Sequence, residues 1–455
     1  MQSTALKIAM TLTFLSGTVP YAQSMEVRFE GGSHKVIEVI PERKTGLEKV
    51  YVAYDADELT EMRVSGAGSG LQVSRYGNMG GGYAEPVTFS WDGADAVVHN
   101  PRGNMGYIFT QDGRNTCIWL VNYADQPFDI RSLKAADTQD CDYTHIDIDG
   151  EGKAINIYTI DGRPEELSRE IRVEYTTEEW NESDGVYDRV PTTKILADLP
   201  GVMTLTPPLY CSTPITVTGD RFLEEWGMAK SAVSATIMPN GLAAHTEAVQ
   251  TNLPDEGEES DPSNIISGES SAELGGSAPA VIKFTAAVTE AVIHDEWQLS
   301  RDPEFQNTEY RFTEREVEYT FEEEGTYYMR YVGSNADGSC DVYSDVYTIG
   351  IGASDLRIPN AFSPNDDGVN DVWKVAYRSL LDFKCWIFDR YGNQIFHFTD
   401  PSKGWDGKYK GKTVKPGVYY YVIEAKGSDG TKYKKSGDIN IVNYKKAGSA
   451  TGPVD

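Results

Sequence analysis

The sequence is poor in basic residues and has no long apolar run. Its 455 residues include 41 Lys and Arg against 70 Asp and Glu, which gives a net charge of −29. A surface of this charge repels phosphate and argues against a nucleic-acid-binding protein. Beyond the N-terminus, no stretch reaches the roughly 18 apolar residues of a transmembrane helix. We therefore expect no membrane-spanning segment in the mature chain.

Cysteine is also scarce. The five cysteines are Cys117, Cys141, Cys211, Cys340 and Cys385. None forms a Cys-x-x-Cys pair, which excludes a zinc ribbon. The odd number leaves at least one thiol free or paired outside the chain. Cys117 and Cys141 are closest in sequence and form the candidate disulfide. Cys385 alternates with Phe383 and Ile387, so we expect it to be a small buried apolar residue.

The signatures of common catalytic sites are missing. The six histidines form no His-Glu-x-x-His motif, and there is no Gly-x-Ser-x-Gly elbow. Gly411-Lys412-Thr413 ends like a phosphate loop, but Asp406 stands where the first glycine is required. No spacing of carboxylates points to a glycosidase pair. We therefore predict a non-enzymatic protein with no catalytic residue and no organic cofactor.

What the sequence does have is a two-residue apolar period. Short alternating segments lie at 36–40, 49–54, 117–121, 154–158, 170–175 and 215–218. They are separated by turns rich in glycine and aspartate, a pattern typical of β-sandwiches. No strong helix is predicted, since the segment after Pro164 has room for about one turn only. The predicted fold class is all-β, with tandem immunoglobulin-like β-sandwich domains.

The first 24 residues have the features of a secretory signal peptide. Lys7 precedes a short apolar segment at 8–15, and Ala22 and Ser24 offer small residues for cleavage. Cleavage after Ser24 would make Met25 the first residue of the mature chain, and cleavage after Ala22 would make it Gln23. We expect the mature chain to begin at Gln23 or Met25 in an oxidising compartment.

Composition divides the rest of the chain. We expect an N-terminal β domain at 25–137, a β-sandwich region at 138–251, an acidic Gly/Ser linker or loop at 252–278, an Ig-like or PKD-like domain at 279–352, a terminal domain at 353–446 and a tail at 447–455. Within 279–352, a strand containing Trp297 precedes Gly325-Thr326-Tyr327. A core tryptophan followed by a tyrosine near the start of a late strand closes the corner of Ig-like sandwiches.

Charge separates the terminal domain from the body. Residues 356–446 carry 16 basic and 10 acidic residues, a net charge of +6. The remainder carries 25 basic and 60 acidic residues, a net charge of −35. A basic domain at the end of an acidic body offers a partner a distinct surface. Four lysines around the turn before Pro416 are expected to be exposed on it: Lys408, Lys410, Lys412 and Lys415.

The strongest motifs lie in this domain. In order they are IPNAFSPNDDGVNDVW (358–373), CWIFDRYGN (385–393), GWDG (404–407) and PGVYYYVI (416–423). Their order and spacing resemble the gliding motility-associated C-terminal domain of Bacteroidota, the type B sorting domain of the type IX secretion system. The residues that carry this resemblance are Pro359, Asn360, Phe362, Gly368, Asn370, Asp371, Arg390, Gly392, Gly404, Trp405, Asp406, Gly407, Gly417 and Tyr419.

The resemblance implies how the protein travels. A sorting domain of this type implies passage through the periplasm and across the outer membrane, then release or attachment at the cell surface. The implied partners are the type IX translocon and its accessory outer-membrane proteins. Two hypotheses remain for the cargo: a surface protein that is adhesive or linked to gliding motility, and a carbohydrate-binding or hydrolytic protein whose partners are host or surface glycans.

One loop is a candidate cation site. Asn365, Asp366, Asp367, Asn370 and Asp371 bring several oxygen ligands into a short segment, as Ca²⁺ requires. The EF-hand pattern fails, because counting Ser363 as position 1 places Lys374, not Glu, at position 12. The alternative is a polar turn in which these side chains accept backbone hydrogen bonds and Gly368 adopts a positive φ. The weaker His145-Ile146-Asp147-Ile148-Asp149-Gly150 pattern has the same two interpretations.

Overall fold

Nearly all elements of the protein are β-strands. The computed structural model describes residues 25–251, 264–266 and 274–442, which form four sandwich domains over 25–127, 128–243, 244–352 and 353–442. The predicted all-β class with tandem Ig-like sandwiches is confirmed. The predicted signal peptide, most of the 252–278 segment and the 447–455 tail lie outside the described residues. Among the residues that the structure describes, no helix is long and apolar enough to cross a membrane.

The first domain has two sheets packed face to face. Its strands are β1 (Glu26–Gly31), β2 (Ile37–Val39), β3 (Lys49–Ala53), β4 (Leu59–Ser65), β5 (Gln72–Tyr76), β6 (Glu85–Pro86), β7 (Ser90–Asp92), β8 (Asp95–His99), β9 (Met105–Gln111) and β10 (Arg114–Asn122). Three short 3-10 helices lie between these strands, at Arg43–Thr45, Ala56–Glu58 and Gly81–Tyr83, and a fourth, Tyr123–Asp125, follows β10. The sheet orders are β1-β4-β8-β7 and β2-β3-β10-β9-β5-β6, with β10 parallel to β3.

Strands β3 and β10 are buried on both faces. Every residue of β10 from Cys117 to Asn122 is buried, so this part of the strand has no solvent-exposed face. One face fills the core of the first domain, and the other packs against the second domain, where the Trp119 ring lies 5.6 Å from the Tyr158 ring. A continuous apolar run is the pattern expected of a strand covered on both sides. The first two domains therefore share one hydrophobic core.

The second domain contains a long hairpin and the one α-helix within the described residues. Its elements are β11 (Asp129–Ala135), β12 (Thr144–Glu151), β13 (Ile155–Tyr158), β14 (Pro164–Leu167), β15 (Ile171–Asn181), β16 (Val186–Leu196), β17 (Val202–Leu205), β18 (Thr216–Gly219), α1 (Arg221–Glu225) and β19 (Lys230–Val233). The helical turn that the sequence allowed after Pro164 is instead strand β14, paired with β13. Helix α1 was not predicted, although Asp220 is a good N-cap: its carboxylate accepts the Leu223 N–H at 3.0 Å.

A buried ion pair fixes the junction between these two domains. Arg169 and Asp220 are almost fully buried, and Arg169 Nη1 lies 2.5 Å from Asp220 Oδ2. Tyr123, from the end of the first domain, donates its hydroxyl to the same carboxylate oxygen at 2.9 Å. Arg169 also donates to the carbonyl oxygens of Gln126 and Lys153. Burial and then the Asp220 charge raise the pKa of Tyr123, so the phenol stays protonated as a donor.

The third domain begins earlier than the sequence indicated. Its strands are β20 (Ala244–Gln250), β21 (Leu274–Gly276), β22 (Ala280–Val288), β23 (His294–Ser300), β24 (Thr308–Phe312), β25 (Glu316–Phe321), β26 (Gly325–Ser334), β27 (Asp341–Tyr343) and β28 (Tyr347–Ile351). Strand β20 pairs with β22, and β21 pairs with β28. The boundary expected at 279 therefore falls inside a sandwich, because strands on both sides of the 252–278 segment belong to it.

The predicted corner of this sandwich is present. Trp297 is fully buried in the core, and its ring lies 5.4 Å from that of Tyr331. Tyr327 donates its hydroxyl to the carbonyl of Glu323, four residues upstream, at 3.0 Å. This is the tyrosine-corner contact of Ig-like sandwiches.

A disulfide joins the second and third domains, and the predicted Cys117–Cys141 bridge is wrong. Cys141 instead pairs with Cys340, 199 residues away in sequence. Cys117 is buried in the middle of strand β10, whereas Cys141 lies in the loop before β12. Closeness in sequence did not become closeness in space, because β10 carries Cys117 into the core. Cys117, Cys211 and Cys385 are free and buried; as predicted, Cys385 packs as an apolar residue, and burial raises its pKa to about 12.

The C-terminal domain is a small sandwich around one five-stranded sheet. Its strands are β29 (Asp355–Arg357), β30 (Ala361–Phe362), β31 (Ala376–Arg378), β32 (Leu380–Phe388), β33 (Gln394–Phe398), β34 (Lys408–Tyr409), β35 (Lys412–Thr413), β36 (Gly417–Gly427) and β37 (Lys432–Ile441). The main sheet has the order β30-β37-β36-β32-β33. Its inner face buries Phe383, Cys385, Ile387, Ile423 and Ile439 against Trp373 and Trp405.

A short piece of the third domain is paired with the C-terminal domain. We call residues 264–266 the strap. Ile265 forms a parallel bridge with Tyr377 of β31, and backbone hydrogen bonds of 2.7 and 2.9 Å flank that bridge. The Asn264 side chain donates to the carbonyl oxygens of Val375 and Pro401 at 2.7 and 2.8 Å. The third domain thus supplies a strand segment to the sheet edge of its neighbour.

Candidate functional site

The first motif segment folds into a loop organised by one carboxylate. We call residues 363–371 the signature loop. Asp371 accepts the backbone N–H groups of Asn365, Asp366 and Gly368 at 2.7 to 2.8 Å. Desolvation acts to raise the pKa of Asp371, but these backbone donors outweigh it and hold that pKa below its usual range. The ionised side chain therefore fixes the path of the loop.

The side chains of Asn365 and Asp367 also make hydrogen bonds within the loop. Asn365 Oδ1 accepts the Asp367 N–H at 3.1 Å, and Asp367 Oδ1 accepts the Val369 N–H at 2.8 Å. The Asn370 carbonyl accepts the Ser363 N–H at 2.9 Å. Gly368 has a φ of +84°, as expected. These are the side-chain-to-backbone contacts of a polar turn.

Two buried tryptophans join the first motif segment to the third. Trp373 and Trp405 exchange backbone hydrogen bonds of 2.9 and 3.0 Å, and both side chains are fully buried. Their indole N–H groups donate to the carbonyl oxygens of Pro359 and Lys408. A side chain at Gly404 would meet the Trp373 carbonyl oxygen at 2.5 Å, so any larger residue here would force the backbone to shift. The GWDG segment therefore packs closely against the first motif segment and supports the signature loop.

The second motif segment closes the β32–β33 hairpin. Asp389 accepts the backbone N–H groups of Tyr391 and Asn393 at 2.8 and 2.9 Å. Hydrogen bonding from the Asn393 side chain, followed by these backbone donors, holds the pKa of Asp389 low. Gly392 has a φ of +81° at the tip, and the Arg390 guanidinium lies over the exposed Tyr391 ring. The residues of this turn define its shape and do not form a reactive site.

The remaining motif residues close the core around the signature loop. Phe362 and Tyr419 both pack against Trp405, with ring centroids 5.5 and 5.3 Å away. The Asn360 carbonyl accepts the Asn440 N–H at 2.8 Å and so ties β30 to the last strand. Gly417 opens strand β36. The motif residues thus meet in one folded unit.

The four lysines before Pro416 are exposed, as predicted from the sequence. Lys408 forms an ion pair with Asp406 at 3.2 Å, and the hydrogen bond that the Lys408 ammonium donates to that carboxylate raises the pKa of Lys408. Lys410 lies over the Tyr409 ring. The other two lysines, Lys412 and Lys415, are also on the surface of this turn.

These motifs place the domain in a known class. Residues 356–441 match the CHU_C Type IX secretion signal domain. Residues 133–234 match a fibronectin type III domain. The resemblance read from the motif segments is therefore confirmed: a type IX secretion signal domain follows a fibronectin type III domain in this chain. No curated protein matches the sequence.

Several solved structures are distantly similar. The tetra-tandem repeat from the extending region of a large adhesion protein is 10% identical, with coverage of 92% of this chain and 99% of that chain and a TM-score of 0.21. The chicken CNTN1 FN1-FN3 domains are 10% identical, with 70% and 98% covered and a TM-score of 0.23. A Ca²⁺-stabilized adhesin of an Antarctic bacterium is 11% identical, with 90% and 99% covered and a TM-score of 0.19. TM-scores this low do not establish a shared arrangement of the whole chain.

The calcium alternative stays a prediction. Among the residues that the structure describes, no cluster of three or more His, Cys, Asp or Glu side chains is arranged to hold a metal. Both carboxylate oxygens of Asp371, and both of Asp367, already accept hydrogen bonds within the loop. This geometry favours the polar turn at Asn365, Asp366, Asp367, Asn370 and Asp371.

Sequence reasoning missed two features of this domain. The first is Asn264, whose role depends on a contact more than 100 residues away and leaves no local signal. The second is an apolar outer surface on the main sheet. Its signal was present, because residues 418–423 are apolar without alternation. In an antiparallel sheet with one covered face, such a run marks a second apolar face.

Proposed function

We propose that this protein is carried across the outer membrane by the type IX secretion system through its C-terminal domain. The observation that carries the proposal is the match of residues 356–441 to a type IX secretion signal domain. The four motif segments give that match a physical basis, since they close one core around Trp373 and Trp405. The implied partners are the translocon and its accessory outer-membrane proteins.

We further propose that the exported chain is a non-enzymatic surface or secreted protein with an adhesive role. Its body is a series of sandwich domains of fibronectin type III and Ig-like type, which are typically non-catalytic. A shared hydrophobic core joins the first and second domains, a disulfide joins the second and third, and the strap joins the third to the C-terminal domain. A link to gliding motility rests on the sequence resemblance alone.

Deletion and transfer test the export proposal. In a host with a type IX system, removal of residues 353–455 should leave the protein in the periplasm. A signal peptide, a folded reporter and residues 244–455 should deliver the reporter outside the cell. The same fusion with 353–455 alone tests whether the strap is needed. Export of the deleted protein at the normal level contradicts the proposal.

A second candidate function, glycan binding, is favoured by one surface of the third domain. Tyr310 is half-exposed, and the Phe312 ring lies beside it, 6.4 Å away and within 22° of parallel. Tyr319 completes the group at 5.8 Å. Neighbouring aromatic rings of this kind offer sugar rings an apolar surface. Glycan-array binding that disappears in Tyr310→Ala would support this candidate, and no binding by the intact chain would remove it.

A further inference from the structure

The main sheet of the C-terminal domain has an apolar side that faces solvent. We call this the outer face and define it by Trp386, Phe388, Val418, Tyr420 and Val422. Val418, Tyr420 and Val422 alternate along β36 and are 43%, 46% and 39% exposed. Their neighbours Tyr419, Tyr421 and Ile423 point into the core. The five residues therefore form a surface separate from the core.

Strand register makes this surface continuous. Trp386 lies opposite Val422, and Phe388 opposite Tyr420, across β32 and β36. None of the five belongs to a hydrophobic core within the described part of the chain. The solvated face of an antiparallel sheet is ordinarily polar. A contiguous exposed apolar patch on a soluble protein marks an interaction site.

The charged residues that border the outer face indicate what kind of partner surface would fit it. Next along the same face, Lys384 lies opposite Glu424, and Lys426 lies opposite Lys432. Lys434 pairs with Glu424 at 3.5 Å. The apolar centre therefore grades into a lysine-rich end on a domain whose net charge is +6. The complement is an apolar surface bordered by acidic residues.

We propose that the outer face is the surface by which the C-terminal domain docks onto a protein of the export apparatus, and that the docking partner has an acidic border. The inference rests on the proposed export function. A protein fits better than an anionic membrane, because a protein can place its acidic side chains opposite the lysines and away from Asp382, Glu424 and Asp438, whereas an anionic lipid surface is negative throughout. Charged rims steer encounter, while the apolar centre supplies most of the affinity.

The test is made in the full-length chain in a host with the type IX system. The triple variant Val418→Thr, Tyr420→Thr and Val422→Thr removes the apolar centre and keeps residues suited to strands. We expect at least a tenfold fall in the extracellular fraction, with accumulation in the periplasm and an unchanged melting temperature. The matched control Ile195→Thr, Val233→Thr and Val249→Thr changes body residues that are 55%, 61% and 56% exposed, and should be exported normally.

Two further variants keep the test decisive. If the triple variant melts early, Lys384→Glu, Lys426→Glu and Lys432→Glu alter only exposed side chains and should also slow export. Changing Lys408, Lys410, Lys412 and Lys415 to Gln tests the turn before Pro416 as the alternative docking surface. Normal export of both outer-face variants overturns the inference. If deletion of 353–455 also leaves export intact, the export proposal itself fails.

A photo-crosslinking residue at position 420 identifies the occupant. Crosslinks to a periplasmic or outer-membrane export protein, lost in the lysine-to-glutamate variant, support the inference. Crosslinks only to a second copy of this chain overturn it in favour of self-association. Flotation of the purified protein with vesicles of anionic lipid, lost in the triple threonine variant, overturns it in favour of a membrane contact.

Discussion

At the scale of single residues, the buried pair of Arg169 and Asp220 is the most consequential contact of the body. Asp220 joins three partners: the Arg169 guanidinium, the Tyr123 hydroxyl and the first turn of α1. Removing one member leaves a buried charge without its partner. Such losses cost about 3–5 kcal/mol of unfolding free energy.

Asp220→Ala is therefore expected to destabilise the first two domains by that amount. This loss of stability is measured by urea unfolding, with tryptophan fluorescence as the signal, and by the protease sensitivity of residues 25–243. The matched control is Glu224→Gln, which breaks the exposed Arg172–Glu224 pair with its two 2.7 Å contacts. An exposed pair contributes less than about 1 kcal/mol. Equal effects from the two variants would show that burial does not set the cost.

Asp371 makes the stability of the C-terminal domain depend on pH. Its pKa is lower in the folded state than the unfolded value of about 3.9. Its stabilising contribution is therefore present above that value and lost as the pH falls through the folded pKa. Asp371→Asn should lower stability at neutral pH and flatten the acid-induced loss below about pH 4. Thermal melts across pH 2–7 measure this, with exposed Asp382→Asn as the control; parallel curves for Asp371→Asn and the parent would contradict it.

At the scale of elements, the signature loop bears on calcium. Because the carboxylates of Asp367 and Asp371 already accept backbone N–H groups, we predict that the loop keeps its shape without a cation. We expect EDTA to leave the melting temperature of the intact protein unchanged. A Ca²⁺ site at 100 times its Kd would instead raise stability by about 2.7 kcal/mol, a shift that a melt detects. A clear EDTA-sensitive shift that disappears in Asp367→Asn would establish the calcium interpretation.

The strap is the element that ties the third domain to its neighbour. Ile266→Pro removes the N–H that donates to the Tyr377 carbonyl at 2.7 Å. Asn264→Ala leaves the carbonyl oxygens of Val375 and Pro401 without their amide donor, at a cost of about 1–3 kcal/mol. Both should speed hydrogen exchange at the Tyr377 amide, which donates to Asn264. Asn393→Ala, in an exposed turn of the same domain, is the control; unchanged exchange at Tyr377 would mean that the strap is not a stable element.

Sequence predicted the elements better than their connections. The alternation of Ile171, Val173 and Tyr175 gave strand β15 correctly, because one face of that strand is buried. Strand β20 was assigned to the wrong domain, because a long acidic insertion separates it from its partner β22. Local pattern carries no information about such partners. The same holds for Cys141, whose partner is 199 residues away.

The signature loop was predictable for a related reason. Its hydrogen bonds run between residues at most seven apart, so aspartate, asparagine and glycine in sequence were enough to indicate a turn. The outer face required knowing that β36 lies in the middle of a sheet with one covered side. Burial of Arg169 was invisible, because its partners come from two domains.

At the scale of the whole molecule, the domains are joined side to side as well as end to end. The β15–β16 hairpin reaches the third domain, where the Trp180 ring stacks on His245 with centroids 3.8 Å apart. Glu290 of the third domain accepts hydrogen bonds from Arg189 and from the Ser212 N–H of the second. The Cys141–Cys340 disulfide closes the same junction covalently. The second and third domains are therefore expected to move as one body.

The disulfide also decides how the chain carries tension. A pull applied to residues 25 and 442 passes from Cys141 directly to Cys340, so the covalent load path leaves out residues 142–339. In single-molecule stretching, reduction should lengthen the fully extended chain by about 650–710 Å, at 3.3–3.6 Å per residue. Equal extension of the oxidised and reduced protein would contradict the bridge. While the disulfide is oxidised, force unfolds the first and C-terminal domains, whereas most of the second and third domains lies within residues 142–339 and carries no tension along its backbone.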